Sequence, residues 1–168
     1  MSTDADGPSV AVMMGSHSDW ETMQRTAATL DQLGISWEAR VLSIHRTPVE
    51  ATEYAASAAE RGIQVIIAGA GGSAALPGAV AAISDLPVIG VPVKAWATDG
   101  LDSLLSIAQM PRGVPVGAVA IGTHGAVNAA LLAARILALH DSDIADALVQ
   151  YRTARAREAL DAPHPSLD

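Results

Sequence analysis

The stretch VAVMMGSHSDWETMQRTAATLDQLG (residues 10–34) decides the fold class. It opens on a continuous apolar run, VAVMM (10–14), which reads as a strand buried on both faces. A loop of small and polar residues follows, GSHSD. Trp20, Met23, Ala27 and Leu30 then recur at helical spacing, and Gly34 stands where a helix C-cap belongs. The stretch is one complete strand, loop and helix unit.

Outward from it the pattern repeats. SWEARVLSI (36–44) reads as a second strand and 48–61 as a helix ending at Gly62. QVIIAG (64–69), PVIGVPV (87–93) and VGAVAIG (116–122) read as the third, fourth and fifth strands, with helical segments between them, including 102–109. Short apolar strands alternating with helices imply parallel βαβ units in a three-layer α/β/α sandwich. Five such units fit a flavodoxin-like five-stranded parallel sheet. No linker or low-complexity segment interrupts the chain, so residues 1–168 read as a single domain, with a core at about 9–140 and an extra C-terminal helix at about 142–160. The ends, 1–8 and 161–168, read as loose. The segment 125–139 (GAVNAALLAARILAL) is apolar nearly all round, and the helix after it carries Ile144, Leu148 and Tyr151 on one stripe. Both segments either cover the sheet or form a subunit interface with a docking C-terminal arm. The all-round apolarity favours the interface.

Composition narrows the chemistry. Alanine fills 34 positions and phenylalanine none, so the core must be built from small aliphatic side chains at close range. A net charge of −8 argues against nucleic acid and anionic membrane as partners. With no cysteine, thiol nucleophiles and thiolate metal sites are excluded. The five histidines, 17, 45, 124, 140 and 164, lack metal-ligand spacing, so no metal is expected, and His140 and His164 read as surface residues. The N-terminus lacks the basic start and apolar stretch of a signal peptide, and no apolar run spans a membrane, which points to a cytoplasmic protein.

In an open parallel sheet, ligands bind beyond the carboxyl ends of the strands, so the residues just after each strand carry the functional reading. After the first strand, Ser18 and Glu21 have capping-box spacing, and a helix N-terminus there suits a phosphate, with Ser16 and Ser18 adding hydroxyls. Asp19 suits a sugar hydroxyl. These residues also read simply as caps. After the second strand, Thr47, Pro48 and Glu50 give a second capping box with Pro at the first helical position, placing His45 and Arg46 on the loop at the same rim. A guanidinium fork suits phosphate or carboxylate. A lone histidine at a strand end is more often structural, but the neighbouring arginine and the facing anion site favour a functional one. After the third strand, Gly69, Gly71 and Gly72 let backbone approach a ligand closely, without the spacing of a dinucleotide fingerprint. Lys94 is the single lysine and the only candidate for Schiff-base chemistry; nothing in the sequence marks it as desolvated. His124 and Asn128 follow the fifth strand.

Three rim segments taken together, MGSHSDW (14–20), SIHRTP (43–48) and AGAGG…LPG (68–78), resemble the class I N5-carboxyaminoimidazole ribonucleotide mutases of purine biosynthesis. GVPV (90–93), GLDSLLSIAQMPRGVPVG (100–117) and NAALLAARILA (128–138) extend the resemblance to about residues 9–160. It implies a flavodoxin-like subunit in a homo-octamer, with C-terminal helices exchanged between neighbours and sites at subunit contacts. It implies transfer of a carboxylate from the exocyclic nitrogen of the aminoimidazole ribonucleotide to ring carbon C4, with no cofactor. Ser16, Ser18 and Asp19 match the family's phosphate and ribose loop, with Ser43 in the second segment. His45 matches the catalytic histidine and Arg46 the phosphate-binding arginine. Gly71, Gly72 and Leu76 match the loop that closes over the imidazole. The chain departs at Ala75, where the family usually has histidine before LPG. It also has His17 where lysine is common, and His124 where a small residue is expected. The rival readings are a carboxylase using free CO2 and, from another class, a non-catalytic phosphate- or flavin-binding module. A receiver domain would want Asp after the third strand, where this chain has Ala70-Gly71.

Overall fold

The computed structural model describes residues 7–162. Five strands, β1 (Val10–Met14), β2 (Trp37–Val41), β3 (Val65–Gly71), β4 (Val88–Val93) and β5 (Gly117–Ala118), form one sheet. All its pairings are parallel, in the order β2-β1-β3-β4-β5. The helices are α1 (Trp20–Gln32), α2 (Pro48–Ala56), α3 (Leu76–Ile83), α4 (Leu101–Ala108), α5 (Thr123–Leu137) and α6 (Ser142–Leu160). The three-layer flavodoxin-like sandwich is therefore the observed fold. Of the ends expected to be loose, residues 1–6 and 163–168, His164 among them, lie outside the described residues.

Strand alternation sorts the core into two halves. Val10, Val12 and Met14 point with Val65, Ile67, Ile89 and Val91 toward α1 and α5. Ala11 and Met13 point with Ile66, Ala68 and Val88 toward α2, α3 and α4. The period-2 rule thus assigns each strand side chain to a helical layer. The alanine stripe of α5 (Ala126, Ala129, Ala130, Ala133, Ala134) is fully buried within the subunit. Its small side chains let α5 lie close on α1, where the Thr26 hydroxyl donates to the Ala126 carbonyl at 2.9 Å. This corrects the interface reading of 125–139 for that face: covering the sheet and α1 accounts for it. Ile144, Leu148 and Tyr151 of α6 pack partly against the same half of the core, yet α6 has no fully buried residue.

Three elements are shorter than expected. The second strand is expected over 36–44, but only Trp37–Val41 forms it. The sequence predicts the fifth strand over 116–122, but only Gly117 and Ala118 pair as a strand. The cause lies in β4. Val119 N–H donates to Gly90 O, and Gly122 N–H donates to Pro92 O, two residues further along β4, so Pro92 faces β5 without an N–H to return. The second helix stops at Ala56, where the Ser57 hydroxyl turns back to the Glu53 carbonyl, and a 3₁₀ turn at Ala59–Arg61 completes the segment. That helix is fastened to β2: the Tyr54 hydroxyl donates to Glu38 at 2.7 Å and the Arg61 guanidinium lies 4.2 Å over the Tyr54 ring. Burial, and then the Glu38 carboxylate, push the Tyr54 hydroxyl well above its ordinary pKa. The connection leaving β2 is thereby held between two tied elements.

Candidate active site

A cleft of about 410 Å3 opens at the carboxyl ends of β1 to β4. It lies at the switch point, where β1 is flanked by β2 on one side and β3 on the other. Ser16, Ser18, Asp19, Ser43, His45, Arg46, Gly71 and Leu76 all line it, together with Ala74, Ala75, Ala95 and Trp96. Gly72 is buried beside the cleft and is not part of its wall. His124 is likewise not part of the wall. Among the described residues, no three His, Asp or Glu side chains form a group that could hold a metal ion.

The first loop is built differently from its expected cap. Ser16, not Ser18, caps the chain entry into a 3₁₀ turn, His17–Asp19, that precedes α1. Its hydroxyl accepts from Ser18 N–H, and Asp19 Oδ2 accepts from Ser16 N–H at 3.0 Å, a reciprocal capping box two residues earlier than the Ser18–Glu21 spacing suggested. The extra turn starts the helical path early and draws Asp19 inward to 8 % exposure. Burial raises the Asp19 pKa, against the lowering effect of the Ser16 and Gly15 N–H groups and of the Arg46 charge. The Ser18 hydroxyl donates to the Ser16 hydroxyl at 3.0 Å.

The second loop is a tight turn closed from within. Thr47 Oγ1 accepts from Ser43 N–H at 3.0 Å and donates to the Ser43 carbonyl at 3.1 Å. Thr47 is the N-cap residue of α2, with Pro48 in the first turn, but its hydroxyl is spent on Ser43, so the expected Thr47–Glu50 capping box does not form. This turn leaves His45 and Arg46 exposed at the rim. Arg46 Nη2 donates to the Gly15 carbonyl at 2.9 Å, joining the second loop to the first. Its guanidinium keeps further N–H groups for an anion.

Trp96 follows the fourth strand, at the rim where ligands bind, but the sequence gives it no binding role beyond weak evidence for a flavin. A loop aromatic has no periodic pattern to mark it. The Gly-rich third loop is held on α4 by the Ser106 hydroxyl, which donates to the Ser73 carbonyl. The polar groups of the cleft thus come from the β1 and β2 loops, and the apolar wall from the β3 and β4 loops.

The model of the AIR carboxylase family matches residues 9–158. The chain belongs to that family. Among curated AIR carboxylase relatives, the N5-carboxyaminoimidazole ribonucleotide mutase of Vibrio cholerae is 52% identical over 157 residues, covering 94% of this chain and 98% of the relative. The mutase of the same name from Bacillus subtilis is 55% identical over 155 residues, covering 92% and 96%. The crystal structure of PurE from Treponema denticola superposes with a TM-score of 0.83 at 32% identity, covering 92% of this chain and 95% of that one. The family read from the three rim segments is the family found.

Proposed function

We propose that this chain is an N5-carboxyaminoimidazole ribonucleotide mutase acting in purine biosynthesis, with His45 as its acid and base. The observation that carries the reading is the convergence of Ser16, Ser18, Asp19, Ser43, His45 and Arg46 from two separate loops on one cleft at the switch point. The names of its AIR carboxylase relatives, near half identical over almost the whole chain, support it. In this reading Arg46 and the Ser16 and Ser18 hydroxyls hold the phosphate, with Asp19 and Ser43 at the ribose. Gly71, Gly72 and Leu76 close over the imidazole. No cofactor is needed.

The chemistry follows from what the substrate requires. His45 gives a proton to the exocyclic nitrogen, the N–C bond breaks with its electron pair returning to nitrogen, and CO2 is freed. Ring carbon C4, electron-rich through the amine, then attacks that CO2. The proton on the tetrahedral C4 passes to His45, which restores both the aromatic ring and the starting imidazolium. Imidazole is the side chain suited to both transfers near neutral pH. Holding both fragments together replaces a dilute encounter by an intramolecular one. Backbone N–H groups at the Gly71 loop would meet the carboxylate oxygens. We read the whole chain as one mutase domain, cytoplasmic, assembled as a homo-octamer with sites at subunit contacts. The lack of any fully buried residue on α6 in a single subunit supports that assembly.

The test is direct. Purified protein is given N5-carboxyaminoimidazole ribonucleotide and the C4-carboxylated product is followed. His45→Asn should fold normally and lose turnover by about 100-fold or more, as for a lost acid-base group. Near-wild-type turnover of the folded variant removes His45 from the mechanism. The description of the family as AIR carboxylases gives the second reading its footing: product formed only from the uncarboxylated ribonucleotide and free CO2 would establish it instead.

A further inference from the structure

We propose that Trp96 is a substrate-covering residue, its indole lying over the imidazole end of the bound ribonucleotide and barring the escape of freed CO2. The proposal rests on the mutase reading of the same cleft.

Three observations lead to it. First, the wall contributed by the β3 and β4 loops, Gly71, Ala74, Ala75, Leu76 and Ala95, ends in this one large side chain. Apart from Trp96 that wall offers hydrogen, methyl and leucine side chains. CO2 carries no charge, and such groups cannot grip it, so containment there must be steric. Second, the indole is 84 % exposed although it stands at the mouth of the cleft. A flat aromatic left to water on the wall of a cleft offers its face to a heteroaromatic ring. Third, the backbone pays for the placement. Trp96 has φ +54° and Asp99 φ +51°, both in the left-handed region that bulky residues avoid. Strain of this kind persists where a site needs the side chain held in one place. The segment is closed on itself by Lys94 Nζ and Asp99 Oδ2 at 2.8 Å.

Gly72 fits the same picture. A Cβ built there would stand 2.2 Å from Trp96 Cζ3, and its own φ is +65°, so the six-membered ring rests directly on backbone that a side chain at Gly72 would push it off. The glycine assigned by resemblance to the closing loop is therefore the seat of the aromatic that finishes the closure.

The experiment uses N5-carboxyaminoimidazole ribonucleotide labelled with 13C in the carboxylate, in buffer holding unlabelled bicarbonate. Wild-type protein should retain the label in the C4-carboxylated product. Trp96→Ala should raise label loss and KM by about threefold to tenfold, the loss expected of one aromatic contact, and Trp96→Phe should restore most of both. Label retention and KM equal to wild type in Trp96→Ala would overturn the proposal. So would a Trp96→Ala protein that loses activity only because it sediments as a smaller assembly, which would make Trp96 a subunit contact. A second readout does not need turnover. In a Trp20→Phe, Trp37→Phe protein the only indole is Trp96, and its emission should change saturably on adding aminoimidazole ribonucleotide. If wild type binds that ligand but makes no product, the mutase reading fails, and this emission change alone then decides the position of the indole: no change with bound ligand overturns it.

Discussion

Asp19 titrates against the habit of most carboxylates in folded proteins. Burial raises its pKa above the ordinary 3.8, despite the N–H groups of Ser16 and Gly15 and the nearby Arg46. The folded chain therefore holds this proton more tightly than the unfolded chain does. Over the window that opens at 3.8 and ends at the raised value, the native state binds more protons, and stability falls as pH rises. The contribution is fully present below that window and lost above it. Asp19→Asn, whose amide oxygen still accepts from the backbone, should remove this slope; equilibrium unfolding of both proteins across acid pH checks it. Arg46 lies beside it and already donates to Gly15. On the proposed reading, Arg46→Ala removes a charge-assisted contact worth about 1.5–3 kcal/mol. KM should rise about tenfold or more with less effect on kcat, measured by steady-state kinetics.

At the scale of elements, the sharpest constraint is the start of α5. A Cβ on Gly125 would stand 1.6 Å from the Ala120 carbonyl oxygen, a backbone atom with no flexible side chain to give way. Gly125→Ala should cost about 2 kcal/mol or more, as overpacked sites do; thermal and urea unfolding measure it. The same scale shows what the sequence made legible. Apolar runs such as VAVMM and PVIGVPV marked β1 and β4 well because a strand buried on both faces needs side chains of one kind throughout. The glycines and helix-start residues then placed Ser16, His45, Arg46 and Gly71 at one rim, since every strand of a parallel sheet ends there. Hydrogen bonds that depend on a third partner were not legible. Ser16 rather than Ser18 became the cap because of a 3₁₀ turn, and Thr47 left its helix to close on Ser43. The short β5 followed from the direction of one missing N–H on Pro92, which residue type alone does not reveal.

For the molecule as a whole, α6 is the element on which the proposed assembly can be tested. Val149 is 52 % exposed on it, on a helix with no fully buried residue. If α6 meets a neighbouring subunit in the proposed octamer, Val149→Asp should keep helix content and shrink the assembly, read by sedimentation velocity. Among the described residues no helix is long and apolar enough to cross a membrane. The bond from Thr26 to Ala126 has a further meaning. It joins residues 100 positions apart, and there α1, which begins at the rim of the cleft, packs on α5. During synthesis at about 5–20 residues per second, the first loop is made early and must wait many seconds for α5 to emerge before its helix can dock. The cleft is therefore finished from its far end in time, and a ribosome stalled before α5 would carry every rim residue while lacking the neighbour against which α1 packs.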